Sequence, residues 1–365
     1  MDSIDATYMK LALRLAAKGA GWVSPNPMVG AVLVKDGLIV GRGFHRRVGA
    51  AHAEVEALRQ AGAAAQDADL YVTLEPCNHQ GRTPPCTQAI LAAGVARVII
   101  ASRDPNPQVT GGGAEYLHSR GMTVQAGLLA AEARRLNEAW FHWTDTGRPW
   151  VIAKAACSLD GKIATATGES QWITGDAARA YGHRLRHRVD AILVGIDTVL
   201  ADDPQLTTRL HRGRGQDPIR LVLDSRLRLP LTAKLLHLDS PAPTWVACTA
   251  AAPKDNIRAI KDLGAEVLVF DSEAGRVPLK PLLELLGRQQ VESLLVEGGA
   301  EVLGACFDQG LVNQFYFFFA PKILGGREAP GVLGGEGVAQ LKNVHQARDL
   351  AIRRIAPDLL ISGYL

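Results

Sequence analysis

The sequence predicts an α/β protein of two domains in tandem. Three observations carry that prediction: a length of 365 residues, a regular alternation of helical and strand patterns, and one strong stop signal near the middle. At about 100–200 residues per domain the length suits two cores. In the first part, TYMKLALRLAAKGA reads as a helix and VGAVLV as a buried strand. HAEVEALRQAG (helix), LYVTL (strand), TQAILAAG (helix) and RVIIAS (strand) continue the alternation, and AEYLHSRG and AAEARRLNEAWFHWTDTG close it as helices. That last helix should stop at Gly147, because glycine just past a helix with Pro149 following is a termination signal. The expected domains are therefore 1–147 and 148–365. After the boundary WVIAKAACS restarts as a strand, and DAILVG, IRLVLD, TWVACT, EVLVF and SLLVE follow as apolar strands between helical stretches. HRGRGQDP at 211–218 reads as an exposed loop.

Composition excludes several classes. With 47% hydrophobic and 21% charged residues the chain is neither disordered nor fibrous. A net charge of +3 gives no broad electrostatic footprint for nucleic acid or an anionic membrane, so any anion site must be local. No apolar run is long enough to span a bilayer and the N-terminus lacks the pattern of a signal peptide, so a cytoplasmic location is expected. Five cysteines are too few, and odd in number, for a disulfide framework.

The cysteines that cluster carry chemistry. His52-Ala-Glu54 opens a helical stretch, Glu75-Pro76-Cys77 follows a strand, and Cys86 comes after Pro84-Pro85. One imidazole and two thiolates make a three-ligand zinc set with a fourth position left for water, whose pKa zinc lowers towards neutrality. Glu54, near a ligand but not needed as one, is the expected proton carrier. The pattern is the signature of zinc nucleobase deaminases, except that eight residues, Asn78 to Pro85, separate the cysteines where two are usual. His79 is a rival ligand, expected instead to line the inserted loop.

In the second half no G-x-G-x-x-G follows the first strand, so a standard dinucleotide-binding fold is not supported. An apolar strand does run into Glu297-Gly298-Gly299-Ala300 and then a helix, a place where a phosphate can approach the backbone.

The segments SPNPMVGAVLV, GFHRRVGAAHAE, EPCNHQGRTPPC and RDPNPQVTGGG together resemble the deaminase half of the RibD family of bifunctional riboflavin biosynthesis proteins. Lys154-Ala-Ala-Cys-Ser-Leu-Asp-Gly-Lys, Ser170-Gln-Trp-Ile-Thr, VGIDTVLADDPQLTTR at 194–209 and FFFAPKILGG at 317–326 resemble its reductase half. The resemblance implies a cytidine-deaminase-like three-layer domain followed by a dihydrofolate-reductase-like domain. It further implies hydrolytic deamination of 2,5-diamino-6-(5-phosphoribosylamino)pyrimidin-4(3H)-one, then hydride delivery from NADPH to C1′ of the ribosylamino group. Substrate contacts carried over on matching motifs are Asn26, His45, Arg82, Asp104 and Asn106 in the first half. Arg82 stands where many members have lysine. In the second half they are Ser170, Arg186, Asp203, Leu206, Arg209 and Glu297. Cofactor positions are Ala156, Trp172, Thr174, Thr198, Asp202, Ser225, Gly298, Gly299 and Ala300. Lys154 and Glu297 are the expected acid and its partner in reduction. NADPH rather than NADH, and a homodimer or larger assembly, rest on the resemblance alone.

The residues admit two other readings. A deaminase of another base or nucleoside fused to a pterin-type reductase is disfavoured by the substrate-handling residues in the inserted cysteine loop. A polynucleotide-binding protein is disfavoured by the near-neutral charge and the absence of a basic, aromatic-interleaved stripe.

Overall fold

The computed structural model describes residues 3–79, 84–105 and 112–365. Arg82 and Asn106 lie outside the described residues. The chain divides into two compact units, Met1–Gly147 and Arg148–Leu365.

In the first unit the described residues form the strands β1 (Gly30–Lys35), β2 (Leu38–Phe44), β3 (Asp69–Leu74), β4 (Arg97–Ser102) and β5 (Thr123–Ala126). Its helices are α1 (Ser3–Ala16), α2 (Ala53–Ala61), α3 (Cys86–Ala92), α4 (Gly113–Ser119), α5 (Ala130–Leu136) and α6 (Glu138–Thr146). The sheet order is β2-β1-β3-β4-β5, with β1 antiparallel to β2 and β3, and β3, β4 and β5 parallel. Alternation along the strands sends Ala31, Leu33, Leu70, Val72, Val98 and Ile100 to one face, against α2, α3 and α4. Val32, Val34, Tyr71, Ile99 and Ala101 point to the other, against α1 and α5. The result is the three-layer α/β/α arrangement.

One expected helix is two. The stretch AAEARRLNEAWFHWTDTG breaks at Asn137 into α5 and α6. Asn137 is buried, accepts the Met28 N–H at 2.8 Å and donates to the Met28 carbonyl at 2.9 Å. This two-way bond to a backbone 109 residues earlier outweighs local helix propensity. Helix α6 ends at Gly147, whose φ of 68° puts it in the left-handed region while its N–H bonds the Trp143 carbonyl at 2.8 Å.

The described residues of the second unit form β6 (Trp150–Ser158), β7 (Ala191–Gly195), β8 (Ile219–Leu223), β9 (Thr244–Thr249), β10 (Glu266–Phe270), β11 (Ser293–Val296), β12 (Gln314–Ala320), β13 (Arg348–Ile355) and β14 (Asp358–Tyr364). The helices are α7 (Asp176–Arg188), α8 (Ile196–Asp202), α9 (Lys254–Asp262), α10 (Leu279–Arg288) and α11 (Ala300–Asp308). Strands run β10-β9-β8-β7-β11-β6-β12-β14-β13, parallel from β10 to β12, with β14 antiparallel to β12 and β13 antiparallel to β14. The three strands β12 to β14 were not among those expected from the sequence.

Two faces again sort the side chains. Val151, Ala153, Ala155, Leu294 and Val296 pack with α10 and α11. Ile152 and Leu295 pack with α7, α8 and α9. Lys154 continues the series of Ile152, and Glu297 that of Leu295, so period-two alternation directs both polar side chains to the α7 face. No helix among the described residues is long and apolar enough to cross a membrane.

Ahead of β11 lies a buried acid, Glu292, beside Asp190, with one carboxyl oxygen making no hydrogen bond. Burial, reinforced by Asp190, pushes its pKa from 4.5 up to about 9. A carboxyl that ionises freely when unfolded but stays protonated when folded opposes folding increasingly as pH rises between those values. The cost is roughly 1 kcal/mol at pH 5 and several times that at pH 8. Glu292→Gln should therefore raise the unfolding temperature, and raise it more at pH 8 than at pH 5; calorimetry showing an equal change at both would refute the protonated state.

Candidate active sites

The first site is built where α2 and α3 begin beside the end of β3. His52 precedes α2 with extended backbone, φ −71° and ψ 162°. Residues two apart inside a helix face away from each other, so it is this extended turn that lets His52 and Glu54 serve one site. Cys77 follows β3 by three residues and Cys86 is the first residue of α3. The Cys86 N–H bonds Cys77 Sγ at 3.4 Å and the Thr87 N–H bonds the Cys77 carbonyl at 3.3 Å, so the opening turn of α3 is fastened to Cys77.

The ligand atoms of His52, Cys77 and Cys86 all lie within 4.8 Å of one another. His52 Nδ1 is 3.2 Å from Cys86 Sγ and 3.5 Å from Cys77 Sγ. A tetrahedral zinc with ordinary Zn–N and Zn–S bonds has N···S edges of about 3.5 Å, so the donor set fits that ion. His79 is not in the group among the described residues. A hydrogen bond with Cys86 draws the Cys77 thiol down to about 4 against the opposing effect of burial, with His52 assisting. Cys86 is pushed up by the same bond and by burial. Negative charge is thus already held where a cation belongs, and a bound metal would displace the remaining protons.

Glu54 is 3% exposed, and burial, reinforced by Cys77, pushes its pKa up to about 7. A carboxyl poised there both takes and gives a proton near neutrality. His45 sets its ring edge-on to His52, with centroids 5.5 Å apart. Its Nδ1 donates to the Ala51 carbonyl at 3.2 Å, which leaves Nε2 to accept from Asn26 Nδ2 at 3.0 Å. Burial, with His52 beside it, lowers its pKa against the opposing effect of the Ala51 bond. Asn26, His45, His52 and Glu54 are therefore brought together. Asp104 stands two residues past β4, its N–H on Glu75 at 3.2 Å.

The second site centres on Glu297, whose side chain is 7% exposed. Arg186 Nε reaches Glu297 Oε1 at 3.0 Å, and one Arg186 terminal nitrogen reaches Oε2 at 3.0 Å. Lys154 Nζ donates to Oε2 at 3.3 Å. Burial alone would raise the Glu297 pKa, but Arg186 and Lys154 overcome it and hold the carboxyl below the usual carboxylate range. Two cations on one carboxylate leave a half-buried cluster of net charge +1, suited to an anionic ligand.

The other expected residues fall into three groups. Ser170 Oγ donates to Asp202 at 2.9 Å, joined there by Gln171 at 3.0 Å, and Gly299 N–H donates to Thr198 Oγ1 at 3.2 Å, so these pairs assemble. Gly298 lacks room for a side chain, since a Cβ would lie 2.9 Å from Val302. Ala300 begins α11, Ala156 follows Lys154 on the same face of β6, and Thr174 is buried with its carbonyl bonded by Arg179. Trp172 is 63% exposed, with the Arg179 guanidinium 4.5 Å from its ring centre. The side chains of three others are engaged within the fold. Asp203 pairs with Lys234 Nζ at 3.4 Å and accepts its N–H, Leu206 is a core side chain, and Ser225 Oγ accepts the Val277 N–H.

Two residues of α7 went unread in the sequence. Gly182 leaves space beside Lys154, a Cβ there being 3.9 Å from Nζ. His183, one turn before Arg186, accepts the Arg209 N–H on Nδ1 at 3.3 Å; burial, Arg186 and Arg209 push its pKa down to about 4, so it is neutral. Helical spacing of 182, 183 and 186 is the signal that could have found them.

Residues 149–361 match the family model described as the RibD C-terminal domain, and residues 2–102 match the cytidine and deoxycytidylate deaminase zinc-binding region. The chain is 43% identical to riboflavin biosynthesis protein RibD of Actinobacillus pleuropneumoniae, over 98% of this chain and 94% of that one. It is 42% identical to the Escherichia coli protein of the same name, over 98% of each. Among solved structures, Acinetobacter baumannii RibD superposes with a TM-score of 0.89 at 39% identity, covering 99% of this chain and 98% of that one. A Thermotoga maritima structure, described as a diaminohydroxyphosphoribosylaminopyrimidine deaminase/5-amino-6-(5-phosphoribosylamino)uracil reductase, superposes with a TM-score of 0.87 at 35% identity, over 99% and 98%. Matched end to end in sequence and in both units of structure, the chain belongs to the RibD family of bifunctional deaminase-reductases of riboflavin biosynthesis.

Proposed function

We propose that the chain carries out two successive reactions on one phosphorylated pyrimidine. The first unit hydrolyses the 2-amino group from 2,5-diamino-6-(5-phosphoribosylamino)pyrimidin-4(3H)-one. The second reduces the ribosylamino chain to give 5-amino-6-(5-phosphoribitylamino)uracil. The observation that carries this reading is that one chain holds both a His/Cys/Cys donor set with a buried glutamate beside it and a separate Lys-Glu-Arg cluster.

In the first site zinc, held by His52, Cys77 and Cys86, supplies Lewis acidity and lowers the pKa of water. Glu54 takes the proton of the attacking water and passes protons to a ring nitrogen and to the departing ammonia. Asn26, His45, Asp104, Arg82 and Asn106 hold the pyrimidine and its ribosyl phosphate. The Asn26 to His45 bond supports this, because it fixes the orientation of two polar groups next to the metal ligands.

In the second site NADPH supplies the hydride. Lys154 acts as the acid: the C1′–O4′ bond breaks as the nitrogen lone pair forms the imine, the ring oxygen takes a proton from Lys154, and the imine carbon is the hydride acceptor, while Glu297 holds the ammonium in place. Arg186 braces Glu297 from the other side, while Arg209 and Ser170 meet the substrate phosphate and hydroxyls. Asp203 lies on the substrate side, and Leu206 would reach substrate by its main chain, since its side chain is in the core. Thr198, Asp202, Trp172, Thr174, Ala156, Ser225 and the Gly298-Gly299-Ala300 turn form the cofactor side. The same reading places the enzyme in the cytoplasm as a homodimer or larger homo-oligomer.

The test follows ammonia and NADPH in one tube. Zinc-loaded protein given the diaminopyrimidinone ribosyl phosphate should release ammonia before NADPH falls. Removing zinc should stop both signals from that substrate, but should spare NADPH consumption when the deaminated compound is supplied directly. Ammonia without NADPH loss would overturn the reductase assignment, and neither signal would overturn both.

A further inference from the structure

We infer that Glu75 is a positioning residue of the deaminase site, fastening both ends of the connection between β4 and α4 to the segment that carries Cys77. The inference rests on the deaminase reading proposed above. Glu75 leaves β3 by one residue, its N–H bonding the Ser102 carbonyl at 3.0 Å, so it sits between the ends of β3 and β4. Its carboxylate is buried and makes two bonds in opposite directions along the chain. Oε2 accepts the Asp104 N–H at 3.2 Å and Oε1 accepts the Ala114 N–H at 2.9 Å.

A third tie reinforces these. A Cβ on Gly113 would lie 1.8 Å from the Pro76 carbonyl oxygen, so the backbone at 113 rests directly on Pro76 and only glycine permits it. One residue outside the two amides, Arg103 and Glu115 form an ion pair across the same neck. Glu75, Pro76 and Cys77 are consecutive, so what locates the metal ligand also locates Asp104, the substrate contact expected from the resemblance.

The chemistry requires glutamate. Two N–H groups need two acceptor oxygens on one side chain, and an ionised carboxylate strengthens both bonds. Glutamine offers one oxygen and sets its NH₂ against the other amide, which leaves a buried donor unpaired. One end of the connection is then released while the protein keeps the same side-chain volume.

Glu75→Gln in the full chain is therefore expected to raise the deaminase KM about tenfold with kcat within about twofold, the split produced when a contact of equal strength in ground and transition states is lost. Zinc content should stay at the wild-type level, and reduction of the directly supplied deaminated substrate should be unchanged. A KM within about twofold of wild type would overturn the inference, as would lost zinc with a fallen kcat and an unchanged KM, which would assign Glu75 to the metal. Should the variant fail to fold, residue-resolved amide exchange on the wild-type protein decides: the Asp104 and Ala114 amides should exchange as slowly as those of β4, and rapid exchange at both would refute the ties. Absence of ammonia release by the wild type would instead sink the deaminase reading itself.

Discussion

Glu54→Gln is expected to lower ammonia release by roughly 1,000-fold or more, the scale of a lost general acid-base group that works on several proton transfers. Glutamine has the same shape and keeps a hydrogen-bond acceptor towards Cys86, so the donor set of His52, Cys77 and Cys86 should still take up zinc to the wild-type level. Reduction of the directly supplied deaminated substrate should be unaffected, because it uses residues of the other unit. Measured ammonia release within tenfold of wild type would remove Glu54 from proton transfer. Loss of zinc along with activity would show its part to be structural.

The second large effect is at Lys154. Lys154→Ala should reduce NADPH oxidation by roughly 100-fold while ammonia release continues at its normal rate. The substitution is tolerable because Arg186 still bonds both oxygens of Glu297, so the buried carboxylate keeps its charge partner. The loss therefore reads out chemistry rather than unfolding, and an unchanged melting profile checks that. Unaltered NADPH turnover would exclude Lys154 from the reaction and leave Glu297 with Arg186 as the working pair.

Legibility followed range along the chain. His52, Glu54, Cys77 and Cys86 were readable because metal ligation demands few residue types at short, recognisable spacings. The apolar strands β1, β3, β4, β6 to β9 and β11 were readable because strands covered on both faces are continuous apolar runs, and the partly exposed edge strand β10 because EVLVF keeps the same composition. Strand β13 escaped notice because its residues are largely exposed, and exposed alternation without an apolar face carries no signal. The break at Asn137 escaped because its cause is a partner at Met28. Leu206, carried over by motif as a substrate contact, has its side chain in the core, a burial that motif matching does not show.

Periodicity and ligand chemistry are local properties of the chain, and they carried the α/β character, the donor set for zinc and the acid beside it. The surroundings of Lys154 came from the fold. By placing β11 between β6 and β7, the sheet brings Glu297 to a lysine 143 residues earlier, and α7 crosses with Arg186 to complete the cluster. It likewise decided that Glu75 ties Asp104 and Ala114 to the ligand segment. The physical reason is common to both cases. A carboxylate chooses partners by distance and desolvation after the chain has closed its loops, and neither quantity is written in residue spacing.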